Sequence, residues 1–169
     1  MGRTGFREAG VDDISLLRNW DSQPHVIASD PNSDWEWETE LLRNPDWREQ
    51  LIYEIEGRPI GFVQIIDPAR EDSHYWGDIE QGLRAIDIWI GLPDDLGQGH
   101  GSVMMKLALD RCFADSSVVA VLIDPLASNK RAHRFYERFG FRFVEQRLFD
   151  EDECFVYRKE RGRGVDQEG

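Results

Sequence analysis

Long apolar runs, paired cysteines and positive charge are what this chain lacks. No stretch of eighteen apolar residues occurs, so no segment reads as a membrane-spanning helix. Residues Met1 to Phe6 lack the apolar stretch of a secretory signal, and Phe6 stands where a myristoylation motif has Ser or Thr. The expected location is therefore the cytoplasm. The only cysteines, Cys112 and Cys154, lie far apart and share no motif with His or with each other. That argues against a metal site and a disulfide framework, and for two buried small apolar side chains. Lys and Arg number 20 against 33 Asp and Glu, a net charge of −13. A field of that sign repels phosphate backbones and anionic lipid, which speaks against nucleic-acid and membrane partners, and it attracts a cationic small molecule. The acids are uneven: residues 30–49 hold seven against two bases, and residues 67–99 hold eight against two. Solubility alone also accounts for such a surplus.

With 169 residues, 40% of them hydrophobic, the chain is sized for one core. Residues 1–160 read as a single domain and 161–169 as a disordered tail, with no internal repeat. A strand is expected over Arg3 to Glu8. A helix follows from Asp12, capped by that residue, with Ile14, Leu16, Leu17 and Trp20 on its apolar face. A second helix is placed at Ser33 to Arg43, capped by Ser33 or Asp34. Gln50 to Glu56 and Pro59 to Ile66 make a hairpin around Gly57-Arg58. After a long loop, Asp67 to Leu83, come a strand at Arg84 to Gly91 and a helix at Gly99 to Phe113, with Val103, Met104, Leu107 and Ala108 inward. Val118 to Ile123 is an apolar run typical of a strand buried on both faces. A helix at Asn129 to Phe139 and a terminal pair, Phe141 to Phe149 with Glu153 to Lys159, complete a mixed α/β order.

Leu96-Gly97-Gln98-Gly99-His100-Gly101 lies between a strand and a helix. Three alternating glycines let the backbone approach a ligand, and the following helix presents unpaired N–H groups and the positive end of its dipole. Together these form a pyrophosphate cradle, although a glycine-rich turn before a helix is also often merely a turn. The spacing fits neither the Walker lysine loop nor the dinucleotide fingerprint.

Further along, the chain reads Ser128-Asn129-Lys130-Arg131-Ala132-His133-Arg134-Phe135-Tyr136-Glu137-Arg138-Phe139-Gly140-Phe141. With this second motif, N-x-x-A-x-x-x-Y-x-x-x-G-F, the sequence resembles the GNAT superfamily of N-acetyltransferases. The resemblance implies a mixed, mostly antiparallel sheet of about seven strands with helices on both faces, acetyl-CoA as cosubstrate and no metal. Backbone groups of Ile88, Trp89 and Ile90 would pair with the pantetheine arm like an added strand. The loop from Leu96 through Gly97, Gln98, Gly99, His100, Gly101 and Ser102 would hold the pyrophosphate, with the His100 side chain incidental. Asn129 would contact the pantetheine region. Tyr136 would protonate the leaving thiolate, although it shares a helical face with Ala132 and Phe139 and also reads as a core aromatic.

Gly57 to Gln64, Gly82 to Asp87, Leu96 to Gly101 and Asp124-Pro125-x-x-Ser128-Asn129-x-Arg131-Ala132 are similar to aminoglycoside 6′-N-acetyltransferases, a branch that also tends to carry Leu at the Leu96 position. In that branch three acids line the acceptor site, and Glu80, Asp87 and Asp124 fall on the matching positions. Asp87, an acid inside an apolar strand, needs a partner or a purpose; it is the candidate for taking or offsetting the ammonium proton. Asp124 and Glu80 would bind other ammonium groups, while Asp124 also fits a turn before Pro125. Trp35, Trp37 and Trp76 serve equally as walls for a sugar ring or as core. His25, His74 and His133 form no cluster. Neither cysteine sits near a motif, so the expected route is direct transfer from acetyl-CoA to the amine through a tetrahedral intermediate, in a monomer or homodimer. An aminoglycoside is the expected acceptor. A siderophore precursor, a polyamine or a peptide amine remains open, as does a non-catalytic acyl-CoA-binding module.

Overall fold

Alternating apolar residues dictate the sheet, and its strand order sets where the functional cavity opens. A computed structural model describes residues 2–162. Seven strands form one sheet: β1 (Gly5–Glu8), β2 (Arg48–Ile55), β3 (Arg58–Ile66), β4 (Leu83–Ile90), β5 (Ala120–Ile123), β6 (Arg142–Phe149) and β7 (Asp152–Glu160). Their spatial order is β1-β2-β3-β4-β5-β7-β6, and every neighbouring pair is antiparallel except β4 with β5. The helices are α1 (Ile14–Asp21), α2 (Pro24–Ser29), α3 (Trp37–Arg43), α4 (His100–Phe113) and α5 (Lys130–Arg138).

The side-chain period of two assigns each strand's residues to opposite faces. Leu51, Val63, Ile65, Ile86, Val121 and Ile123 pack with Met104, Met105, Ala108 and Leu109 of α4 and Tyr136 of α5. On the other face Ile52, Phe62 and Trp89 meet Leu17 and Trp20 of α1, Val26 of α2, and Trp37 and Leu41 of α3. A third cluster on that second face joins Ala85, Ala120, Leu122, Cys154 and Val156 to Trp76 and Phe149. Helix α1 lies against the sheet with no space to spare. A Cβ on Gly91 would sit 2.2 Å from the Trp20 ring, so only glycine lets that indole close over the end of β4. Among the described residues no helix is long and apolar enough to cross a membrane.

Several boundaries differ from expectation for identifiable reasons. Asp13, not Asp12, organises the start of α1: its carboxylate accepts from the Gly10 amide at 2.9 Å and from both Nη atoms of Arg7. The helix expected over Ser33 to Arg43 starts later, as α3 at Trp37, and a separate helix that the sequence did not mark, α2, precedes it at Pro24–Ser29. Pro24 occupies the first turn of α2, where its missing N–H costs nothing, and Glu36 enters α3 from the left-handed region, with no side-chain cap from Ser33 or Asp34. In α4 the buried stripe is Met104, Met105, Ala108, Leu109 and Cys112, a 3.6-residue period that leaves Val103 46% exposed. The expected disordered tail begins too early. Arg161 is tied down by donating to the carbonyls of Phe113, Asp115 and Val118, and the rest of that tail, from residue 163, lies outside the described residues.

Candidate active site

The β4–β5 pairing is what creates the site. It runs in register through Leu83↔Ala120, Arg84↔Val121 and Ala85↔Leu122, then stops. Two residues beyond the last pair, on the same face, stand Asp87 and Asp124. They would be partners if the ladder continued; instead the strands splay and the two carboxylates look into the gap. A cavity of about 380 Å³ opens there, walled among others by Asp30, Trp35, Tyr75, Asp87, Asp124 and Tyr136.

The splay also leaves β4 with a free edge. The Gly91 amide donates to the Ile60 carbonyl at 2.9 Å, so Gly91 faces β3. Alternation then turns the peptide groups of Ile88 and Ile90 to the side β5 has vacated. Trp89 departs from the expected edge set. Its carbonyl faces β3, where it lies 2.6 Å from the Cβ position of Gly61, and its indole is core. His25 of α2, which showed no role in the sequence, places Nε2 2.7 Å from the Ile90 carbonyl oxygen.

Below that edge comes the glycine loop. Gly97 (φ 72°) and Gly99 (φ 84°) are both left-handed, and Gly99 leads into α4. Nothing lies within 4 Å of a Cβ at either position, so backbone conformation rather than crowding demands glycine there. The loop is anchored from behind by Asp95, whose buried carboxylate accepts from both Nη atoms of Arg58 at 3.1 and 3.0 Å. Gln98 donates to the Asp94 carbonyl, and Leu96 is 38% exposed. The amides ahead of Val103 in α4 have no partner within the helix, as an anion-binding helix start requires, although the loop is not part of the cavity wall. Asn129 caps α5, its Oδ1 accepting the Ala132 amide at 3.2 Å, and it also lines the cavity.

Electrostatics in the cavity are dominated by carboxylates. Burial, then the charge of Asp30, pushes Asp87 up to about 7 despite the Gln64 amide donating to it at 3.1 Å. Burial, then Asp87, pushes Asp124 up to about 8, against the hydrogen bond from Tyr75. Asp30 is itself raised by burial. Mutual repulsion in a poorly solvated space disfavours full ionisation, so the cavity holds a proton or recruits a cation. Tyr136 is also raised, by burial and then by Asp87 and Asp124, so its phenol stays protonated at neutral pH.

A stability consequence follows from these shifts. The folded chain holds protons on Asp87 and Asp124 that the unfolded chain releases near pH 4. That preference stabilises the fold at low pH and is lost as pH rises through about 8. The Asp87→Asn/Asp124→Asn double variant is therefore expected to melt above the wild type at pH 8, with the gap closing toward pH 4 in a series of thermal melts.

Not every sequence candidate reaches the cavity. Glu80 does not line it: its side chain is 59% exposed and lies 3.5 Å from Arg158 of β7, because the chain turns outward before Gly82. Trp35 lines the cavity and stacks on Trp37 at 5.1 Å, whereas Trp37 is core. Trp76 is buried as well as cavity-lining. Cys154, distant from every motif in sequence, also borders the cavity, but burial and then Asp124 push its thiol up to about 12. Little thiolate exists near neutrality, which argues against a covalent acyl-enzyme on this residue. Three further participants escaped the sequence reading: Asp30, Tyr75 and Asp152. Asp30 lies in the acid-rich 30–49 segment, a regional signal only. Nothing local marks Tyr75 or Asp152.

Comparison with known proteins matches this geometry to one family. The model of the acetyltransferase (GNAT) domain matches residues 10–149. An aminoglycoside N(6′)-acetyltransferase type 1 of Klebsiella pneumoniae is 27% identical over 145 residues, 76% of this chain and 69% of that protein. The N-hydroxyputrescine acetyltransferase of Acinetobacter baumannii is 25% identical over 117 residues, 67% of this chain and 56% of that protein. Among solved structures, the aminoglycoside acetyltransferase AAC(6′)-Ib in complex with coenzyme A and kanamycin superposes with a TM-score of 0.80. It is 22% identical, covers 94% of this chain and is itself 95% covered. That likeness is one of fold.

Proposed function

The chain belongs to the GNAT acetyltransferase family, and from that premise we propose that it moves an acetyl group from acetyl-CoA to a primary amine of a polycationic small molecule, an aminoglycoside 6′-amine in particular. The observation that carries this reading is the pair Asp87 and Asp124, facing each other across the β4–β5 splay in a cavity with Asp30 on its wall.

The residues present fit acetyl-CoA. Left-handed Gly97 and Gly99 leave the amides at the start of α4 free for a pyrophosphate, and the edge of β4 offers the peptide groups of Ile88 and the Ile90 amide, whose carbonyl is already engaged by His25, to an amide-bearing arm. When bound, the cosubstrate supplies an activated thioester. The protein's own groups do the rest. Asp87 draws in the ammonium and takes its proton, directly or through water, while Asp124 and Asp30 offset remaining positive charge. The freed nitrogen forms a bond to the thioester carbonyl carbon to give a tetrahedral intermediate; as the C–S bond breaks, Tyr136 donates a proton to sulfur and is reprotonated, directly or through water, by the proton the new amide nitrogen gives up. No residue need become acylated. Trp35 forms an apolar wall for the sugar face.

Incubation with acetyl-CoA and kanamycin, followed by mass spectrometry and NMR of the product, tests the reading. One acetyl group on the 6′-nitrogen is the expected result. Acetylation of a different nitrogen would reassign the orientation, and no acetylated kanamycin would overturn the aminoglycoside acceptor.

A further inference from the structure

We propose that Tyr75 is a positioning residue of the acceptor site: its hydroxyl, donated to Asp124, orients that side chain and favours the carboxylate form that meets the incoming ammonium, and Glu71 sets Tyr75 in place. The role in acceptor binding rests on the acetyl-transfer reading above; the role toward Asp124 stands on geometry alone.

Tyr75 lies in the long loop between β3 and β4, and its Oη donates to Asp124 Oδ2 at 2.5 Å. Its ring stacks on Phe149 at 4.5 Å and 7° and meets Trp76 edge-on at 5.8 Å, which fixes the approach of the hydroxyl. The loop is shaped for this. Glu71 is buried, and its carboxylate accepts the amides of Ser73 at 2.7 Å and Tyr75 at 2.9 Å. A left-handed His74 and a Gly77 amide bonded to the His74 carbonyl then close the turn. One carboxylate thereby aims the phenol at another.

The surroundings of Asp124 explain why such a donor is needed. Asp87 faces it from β4, Asp30 from the end of α2, Asp152 and Cys154 from β7, and Tyr136 from α5. Asp87 and Asp30 both favour protonation of Asp124, and the one basic side chain on the cavity wall, Arg48, is paired with Glu40. Among the described residues Tyr75 is the one side chain that donates a hydrogen bond to it. A protonated Asp124 would greet a cation with no charge, so the phenol widens toward lower pH the range in which Asp124 meets an ammonium as a carboxylate. On acceptor binding the second carboxylate oxygen is left for the ammonium.

The Tyr75→Phe variant retains the stack on Phe149 and removes only the donor. Titration of protein carrying ¹³C-carboxyl aspartate, followed by NMR without acceptor or acetyl-CoA and with the Asp124 signal identified through Asp124→Asn, reads the effect directly. The Asp124 midpoint is expected to move up by about one pH unit relative to the wild type, a tenfold change in proton affinity. An unchanged or lowered midpoint overturns the proposal. Against kanamycin, the acidic limb of kcat/KM should shift upward by the same amount, with KM raised near pH 7 and recovering near pH 9. Glu71→Ala should reproduce the shift, and Glu71→Gln, which keeps an acceptor oxygen, should largely restore it. A wild type that leaves kanamycin untouched would sink the acceptor reading, whereas the NMR titration still decides the role of Tyr75.

Discussion

Replacing Asp87 by Asn lowers kcat/KM for a cationic amine by about 10²- to 10⁴-fold, while the affinity for acetyl-CoA stays nearly constant. The change is close to isosteric: the amide can still meet Gln64, which now holds Asp87 at 3.1 Å. What disappears is a charge in a cavity where burial gives that charge unusual weight. An ammonium entering the gap loses the group that takes its proton, and an unprotonated nitrogen is required for attack. The cosubstrate contacts proposed for the glycine loop and the β4 edge involve backbone that the substitution leaves alone. Stopped-flow or steady-state thiol release paired with calorimetric titration of acetyl-CoA separates the two effects. Equal activity in the variant would remove Asp87 from the proton path.

Tyr136→Phe should act on the other end of the reaction, lowering kcat by about 10²-fold with little change in the acceptor KM. Tyr136 is buried on α5, packed edge-on against Phe135 and Phe141, so Phe fits the same space. Its hydroxyl has no hydrogen-bond partner among the described residues, and the side chain borders the cavity, an arrangement suited to donating a proton to a departing sulfur. Because burial and the nearby carboxylates raise this phenol, it remains a donor across the neutral range. A variant with full kcat would return Tyr136 to the role of a core aromatic.

How much of this was legible in the sequence varies by element. The alternation in Arg84 to Gly91 puts Asp87 on one face with Ala85 and Trp89, and that is where the fold has it. The glycine loop and the α5 motif were readable because a helix start and a helical face leave a short-range pattern. The acceptor side was not. Asp30, Tyr75 and Asp152 come from the end of α2, the loop after β3 and the start of β7, held together by contacts such as Tyr75 with Asp124 and Asn32 with Asp152, which span 49 and 120 residues of chain. No periodicity records a meeting of that kind. Glu80 shows the converse: the resemblance set it at the acceptor site, whereas its side chain lies off the cavity wall, 3.5 Å from Arg158, just before left-handed Gly82. The sequence starts α3 too early because Trp35 extends the apparent apolar face backwards, whereas it belongs to the turn and stacks on Trp37, and the six residues of α2 are too few to leave a periodic pattern.

The most direct test is steady-state release of coenzyme A thiol from acetyl-CoA across a panel of kanamycin, tobramycin, spermidine, a lysine derivative and a basic peptide. Rapid turnover with kanamycin and tobramycin, and slow turnover with the others, is the result predicted by an acidic cavity beside an open β4 edge. Slow turnover with every polycation, alongside rapid transfer to an uncharged amine, would contradict it.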